Sequence, residues 1–294
     1  MLPHEASRQA GVLSVKDHLV HSRLPIVLGA SLLMTVSLLY AEIPLLSSVS
    51  LACVATGSLL IYSVYSFNSW TDFDEDRVNS PEFAAVGSRS KRAIFTLSLS
   101  TGIAAMTLGL LLGLLAAITV AIILTAGLLY SYPMLGAVGI PRFKEVPVLK
   151  NIVAAASWAV MLTIPFSATG APLGPVVSLL ILFVFLQLMV ESISRDLPDR
   201  HGDARAGFST IPSVIGPKRT IALLIAINTV SAAVVVLSAT LALYTSLILI
   251  GCAWRYCTLY LALEERPLTF TFAKVNFPTL LSLVVGAILG KLLI

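Results

Sequence analysis

The chain has 294 residues, 57% of them hydrophobic and 12% charged, with a mean hydropathy of +0.94. A soluble domain carries roughly 25% charged residues, so this composition excludes an ordinary water-soluble enzyme and points to a polytopic membrane bundle. The 3 cysteines, Cys53, Cys252 and Cys257, lie in apolar runs without CxxC spacing. That pattern argues against a disulfide framework or a zinc site and makes them small core residues.

The first two dozen residues are polar, with Arg8, Lys16, Asp17 and Arg23 ahead of any apolar stretch, unlike a cleavable signal peptide. Val15 to Leu24 can form a short interfacial amphipathic helix. A membrane span needs about 20 apolar residues. Candidate spans follow in order at Leu24–Ala41, Leu45–Phe67, Ala93–Leu112, Leu114–Tyr132, Leu149–Ala168, Pro175–Ser194, Thr220–Ala239, Leu241–Leu263 and Val275–Ile294. Pro25, Pro165 and Pro175 fall near span ends, where a missing backbone donor does least harm.

Basic residues give the orientation. With the N-terminus inside, the inner segments hold Arg8, Lys16 and Arg23, then Arg77, Arg89, Lys91 and Arg92, then Arg142, Lys144 and Lys150, and so on. Of the 19 Lys and Arg, only Lys291 falls outside. The expectation is an all-α polytopic membrane bundle of about nine transmembrane helices with a cytoplasmic N-terminus. The same asymmetry accounts for the net charge of +4 without nucleic acid. Span–span–acidic loop occurs twice, so residues 1–294 read as one domain with two weakly duplicated halves, about 24–148 and 149–294.

Two acidic clusters close apolar runs on the inner side: Asn68-Ser-Trp-Thr-Asp72-Phe-Asp-Glu-Asp76 and Asp196-Leu-Pro-Asp199-Arg-His-Gly-Asp203. A wet juxtamembrane loop would merely solvate such residues. Helical spacing argues for more: Asn68, Asp72 and Asp76 step by four along one face, and Asp199 and Asp203 repeat the step. Carboxylates are costly near a bilayer, and several converging on one cavity resist ionisation unless a divalent cation neutralises them. Carboxylates with an amide and no His or Cys at ligand spacing suit Mg²⁺. Asp74 and Glu75 fall off the Asp72/Asp76 line, and His201, beside Arg200, reads as solvated. Arg77, Arg89, Lys91, Lys144, Lys150 and Lys218 share the acidic face and can meet the oxygens of a diphosphate. Phe67, Trp70, Tyr130 and Trp158 are candidate walls for a carbocation. Arg255, in Trp254-Arg255-Tyr256, is placed to snorkel toward the inner membrane face; the alternative is a cavity position binding an acceptor's anionic group.

Asn68-x3-Asp72-x3-Asp76 followed by Arg77-Val-Asn79-Ser-Pro81 resembles the first motif of the UbiA superfamily of intramembrane prenyltransferases. Arg195-Asp196-x2-Asp199-x2-Gly202-Asp203-x3-Gly207-x2-Thr210-x-Pro212 resembles the second. Span count, orientation and motif order extend the likeness over nearly the whole chain. The resemblance implies a helical bundle around a lipid-open central cavity, in which Mg²⁺ ions hold a prenyl diphosphate. It implies a metal set of Asn68, Asp72, Asp76, Asp199 and Asp203, with Asp196 an upstream acid of the second motif. Asp72, Asp76, Asp199 and Asp203 are the expected catalytic acids, and Asn68, Arg77, Tyr132, Lys144, Lys150 and Lys218 the expected diphosphate contacts.

Two departures stand out. Glu82-Phe83-Ala84 replaces a second Arg-Pro, and Tyr132-Pro-Met-Leu-Gly136 puts glycine where members have Tyr-x3-Lys, leaving Arg142 and Lys144 as the nearest bases. The implied reaction is Mg²⁺-dependent ionisation of a prenyl diphosphate to an allylic carbocation, captured by a lipid-soluble acceptor. That acceptor resembles an aromatic or quinone precursor, a chlorophyllide or an isoprenoid glycerol ether. The alternatives are a membrane terpene cyclase, or a non-enzymatic cation-coupled transporter, which would place its charges mid-span. Membrane lipids are the expected surroundings; no obligate protein partner and no nucleic acid are expected.

Overall fold

In the computed structural model the chain is described over residues 24–72, 91–134, 136–205, 209–237, 243–263 and 272–292. For 199–205, 243–246, 261–263, 272–277 and 291–292 the description covers the backbone alone. The described residues contain helices and turns and no strand. The helices are α1 (Leu24–Tyr40), α2 (Ser48–Thr71), α3 (Lys91–Leu112), α4 (Leu114–Ser131), α5 (Pro147–Met161) and α6 (Ile164–Thr169). After them come α7 (Pro175–Arg205), α8 (Ile211–Ile215), α9 (Pro217–Leu237), α10 (Leu243–Leu263) and α11 (Phe272–Leu292). Two short 3₁₀ turns, Gly136–Val138 and Phe143–Glu145, lie between α4 and α5. The interfacial helix expected upstream of Leu24 lies outside the described residues.

Local chemistry explains the boundaries. Ser47 caps α2, accepting the Ser50 backbone N–H at 3.1 Å. Gly113 divides α3 from α4 with φ +124°, a conformation that side-chain-bearing residues avoid. The span expected at Leu149–Ala168 is present as Pro147–Thr169, but it is interrupted at Leu162 and Thr163 and so consists of two helices, α5 and α6. Pro165 has no N–H to donate back to Met161, and the buried Ser37 hydroxyl of α1 donates to the Leu162 carbonyl at the break, at 2.5 Å. The sixth span runs further than its apolar stretch. α7 carries on past Ser194 through Asp196, Asp199 and Asp203, so the second acidic motif lies on helix rather than in a loop.

Among the described residues, six helical stretches are long and apolar enough to cross a membrane: Ser48–Thr71, Lys91–Leu112, Leu114–Ser131, Pro147–Thr169, Pro175–Pro198 and Pro217–Leu237. Leu24–Tyr40, Leu247–Tyr260 and Pro278–Gly290 are apolar but shorter. The chain is an integral multi-pass membrane protein. Its outward surface carries leucines such as Leu111, Leu114 and Leu115, while Ser37, Asn151, Gln187 and Asn228 are buried inside. Polar groups inside and hydrocarbon outside is the distribution a lipid solvent favours.

Contacts link α1 to α2, α2 to α4, α4 to α5, α5 to α7, α7 to α9, α9 to α10 and α10 to α11, and α11 returns to α1. The bundle therefore closes on itself, with α3 packed against α2 and α4. Ser63 of α2 and Ser98 of α3 exchange hydroxyl-to-carbonyl bonds of 2.7 and 2.8 Å, made possible by close backbone approach.

α10 and α11 meet more tightly still. A Cβ at Gly251 would lie 2.0 Å from Ser282 Oγ and 3.0 Å from Thr279 Cα. The serine can rotate away, but the backbone carbon cannot. Gly251→Val is expected to push the two helices apart and destabilise the protein by about 1–3 kcal/mol, as overpacking does. Thermal unfolding in detergent micelles reads this directly; an unchanged midpoint would refute the close contact.

Candidate active site

The first motif stands at the end of α2. Asp72 terminates the helix, its N–H donating to the Asn68 carbonyl at 2.9 Å, so Asn68 and Asp72 lie one turn apart as their spacing predicts. The Thr71 hydroxyl donates to Asp72 Oδ1 at 3.1 Å. The Asn68 side-chain carbonyl accepts from Ser131 Oγ at 2.9 Å, which ties the motif to the end of α4. Asp76 and Arg77 lie outside the described residues.

The connection before α5 supplies the counter-charges. In the Phe143–Glu145 turn, Arg142 is held by Glu145 through its backbone N–H at 2.9 Å and its Nε at 2.8 Å. Lys144 instead reaches across and pairs with Asp72. One turn into α5, Lys150 pairs with Asp196 of α7 at 2.8 Å. Acids from the two motifs, far apart in sequence, are thus neutralised by two lysines of one short segment.

Asn68, Tyr130, Lys150, Glu191, Arg195 and Asp196 line one cavity of about 290 Å³. The structure therefore brings Asn68 of the first motif and Asp196 of the second onto one surface. A second cavity of about 360 Å³, walled by apolar residues including Leu32, Phe183, Val184 and Leu283, adjoins it. Tyr65, Trp158, Leu188, Glu191 and Arg195 line both cavities, and Trp158 Nε1 donates to the Tyr65 hydroxyl at 3.2 Å.

Other expected residues are placed differently. Tyr132 is 48% exposed at the end of α4 and Lys218 is exposed in the first turn of α9; neither lines the cavities. Asp199 and Asp203 are on α7, their side chains outside the description. Phe67 and Trp70 are not cavity walls: they stack at 5.6 Å, and Trp70 continues onto Phe95 of α3 at 4.8 Å. Cys53 and Cys252 are buried, but Cys257 is exposed rather than core. Arg255 does not snorkel. It is 2% exposed inside the bundle, with Nη1 donating to the Gln187 backbone carbonyl at 2.9 Å and Oε1 at 2.6 Å. Interior partners hold it where solvent contact was expected.

Tyr65, Gln187 and Glu191 were not singled out from the sequence. The signal was present for two of them. Gln187 and Glu191 interrupt an apolar run at four-residue steps toward Arg195, and polar groups inside a span mark functional surfaces.

The fold and the site together define an intramembrane helical bundle with carboxylate, amide and lysine groups beside an apolar cavity. The model of the UbiA prenyltransferase family matches residues 24–286, and the chain belongs to that family. Among solved structures, a UbiA homologue from Aeropyrum pernix K1 in its apo form superposes with a TM-score of 0.73 at 17% identity, covering 95% of this chain and 99% of that one. A UbiA homologue from Archaeoglobus fulgidus bound to GPP and Mg²⁺ gives 0.69 at 16% identity, covering 92% and 98%. A digeranylgeranylglyceryl phosphate synthase gives 0.63 at 19% identity, covering 92% and 96%. These likenesses show a shared fold. Comparison with curated proteins gives no match.

The donor set fits magnesium in kind. Asn68 offers an amide oxygen, Asp72 and Asp196 carboxylates, all hard ligands, and a carbonyl oxygen that accepts from Ser131 keeps a second lone pair. Among the described residues, no three His, Cys, Asp or Glu gather at metal-binding range.

Proposed function

We propose that the protein transfers a prenyl group from a prenyl diphosphate to a lipid-soluble acceptor within the membrane. The observation that carries this reading is the cavity that Asn68, Lys150 and Asp196 line together, which shares part of its lining with an apolar cavity. Lys144 and Lys150 are placed to exchange their carboxylate partners for diphosphate oxygens, which draws charge onto the leaving group as the allylic C–O bond breaks. Asp72, Asp76, Asp196, Asp199 and Asp203, with Asn68, form the proposed Mg²⁺-binding set. The chemistry a bound Mg²⁺ supplies is neutralisation of the diphosphate. Tyr65, Tyr130 and Trp158 present ring faces and exclude water where the cation forms.

A second cavity beside the first supports transfer to a separate acceptor over cyclisation of the prenyl chain on itself. The basic inner connections support a reading in which the reacting end lies at the cytoplasmic face, with the N-terminus on the same side.

The test incubates the protein, in liposomes, with Mg²⁺, prenyl diphosphates of several lengths and acceptors from the quinone-precursor, chlorophyllide and glycerol-ether classes. Diphosphate release and mass spectrometry of the lipid extract are the readouts. Prenylated acceptor is expected with Mg²⁺ and none after EDTA. Diphosphate release that ignores EDTA, or a prenyl product formed equally without any acceptor, would overturn the reading.

A further inference from the structure

We infer that the Ser192 hydroxyl of α7 donates a hydrogen bond to the diphosphate in the cavity of about 290 Å³, and that the buried amide of Asn151 is the positioning residue that aims it. The inference rests on the proposed transfer reaction and adds a binding group to its diphosphate site.

Two consecutive residues of α5 make two neighbouring links to α7. Lys150 pairs with Asp196, and Asn151 Nδ2 donates to Ser192 Oγ at 2.8 Å. Ser192 and Asp196 are four residues apart and so share one face of their helix. Both line the cavity, together with Asn68 and Lys150. Asn151 lines neither cavity and is fully buried.

A hydroxyl has one proton to donate and two lone pairs with which to accept. Ser157, on the wall of the same cavity, sends its proton to the Val153 carbonyl of its own helix at 2.8 Å, as serines in helices commonly do. Ser194 does the same with the Glu191 carbonyl. Among the described residues Ser192 makes no such bond; it accepts from Asn151 instead. An amide N–H directed at one lone pair repels the hydroxyl's own proton, which turns away from Asn151. The donor is thereby oriented before substrate arrives, on a wall shared with Lys150. It offers a phosphate oxygen a hydrogen bond without adding charge to the site.

The amide itself is poorly served by the fold. Among the described residues its buried Oδ1 has no hydrogen-bond partner, which is unfavourable in an apolar interior. An aliphatic side chain would avoid that penalty but could not fix the Ser192 hydroxyl.

The test uses the full chain in nanodiscs with Mg²⁺ and a non-hydrolysable geranyl diphosphate analogue. The analogue's dissociation constant is measured for wild type, Ser192→Ala, Ser192→Cys, Asn151→Ala and the Asn151→Ala/Ser192→Ala double variant, each beside an unfolding curve. Ser192→Ala and Ser192→Cys are expected to weaken binding about 10- to 100-fold, the scale of one hydrogen bond to a charged group. Asn151→Ala is expected to weaken it in the same direction and by less, because the hydroxyl remains but is no longer aimed. In the double variant, loss of the amide should add nothing to loss of the hydroxyl, whereas a merely structural role would weaken binding equally in either background. Wild-type affinity in a folded Ser192→Ala or Ser192→Cys protein overturns the inference without the Asn151 variants. An Asn151→Ala effect that repeats in full when residue 192 is already alanine overturns the positioning role. Absent binding of the analogue to wild type would instead count against prenyl transfer itself, so the two failures are read separately.

Discussion

Asp72→Asn is expected to lower prenyl transfer by about 10²- to 10³-fold, the scale of losing one charged element that stabilises a leaving group. The substitution is nearly isosteric. The backbone bond from residue 72 to the Asn68 carbonyl remains, as does an acceptor for the Thr71 hydroxyl, so the end of α2 keeps its shape. What disappears is the negative charge that Lys144 answers. Loss of activity should therefore come with a measurable loss of thermal stability as well, because Lys144, only 9% exposed, loses the carboxylate that matches its charge. The measurement is turnover of labelled prenyl diphosphate beside an unfolding curve for the same preparation. Near-normal turnover in the folded variant would remove Asp72 from the chemistry.

The second large effect concerns the pair across α5 and α7. Lys150→Gln and Asp196→Asn should each lower transfer about 100-fold, because each removes a charge from the cavity that Asn68 shares. Each should also destabilise the fold. The two side chains are only 15% and 13% exposed at a separation of 2.8 Å, so removing one leaves its partner's charge largely buried. A fully buried broken pair costs about 3–5 kcal/mol, and access to the cavity lowers that figure here. The double variant leaves no stranded charge, so it should recover much of the stability while staying inactive. A double-mutant cycle in unfolding free energy should show a coupling of about 0.5–3 kcal/mol. Strictly additive stability losses would mean that the two residues do not depend on each other.

Where the sequence was informative, local chemistry decided the outcome. Most apolar runs end at charge, proline or glycine, and the division at Gly113 follows from a backbone angle that glycine adopts readily. The one-turn relation of Asn68 and Asp72 followed from helical periodicity alone. What could not be read depends on residues distant along the chain. The break at Leu162 is tolerated because Ser37, 125 positions away, supplies a donor to its carbonyl. Arg255 looked like an end-of-span cation, since nothing near it in sequence announces Gln187, 68 positions earlier. The choice of Lys144 over Arg142 turned on Glu145, which occupies the arginine. The departure at Gly136 is answered from a different point in the same connection, where Lys144 brings a base to the first motif.

The two lysine–carboxylate pairs also bear on how such a molecule comes to exist in lipid. In the folded chain the acids are matched by cations from that same chain and are largely withdrawn from water, so the cost of dehydrating them is met by folding. An arriving substrate then meets ions whose hydration is largely gone, and trading one partner for another in a dry setting asks little reorganisation of the scaffold.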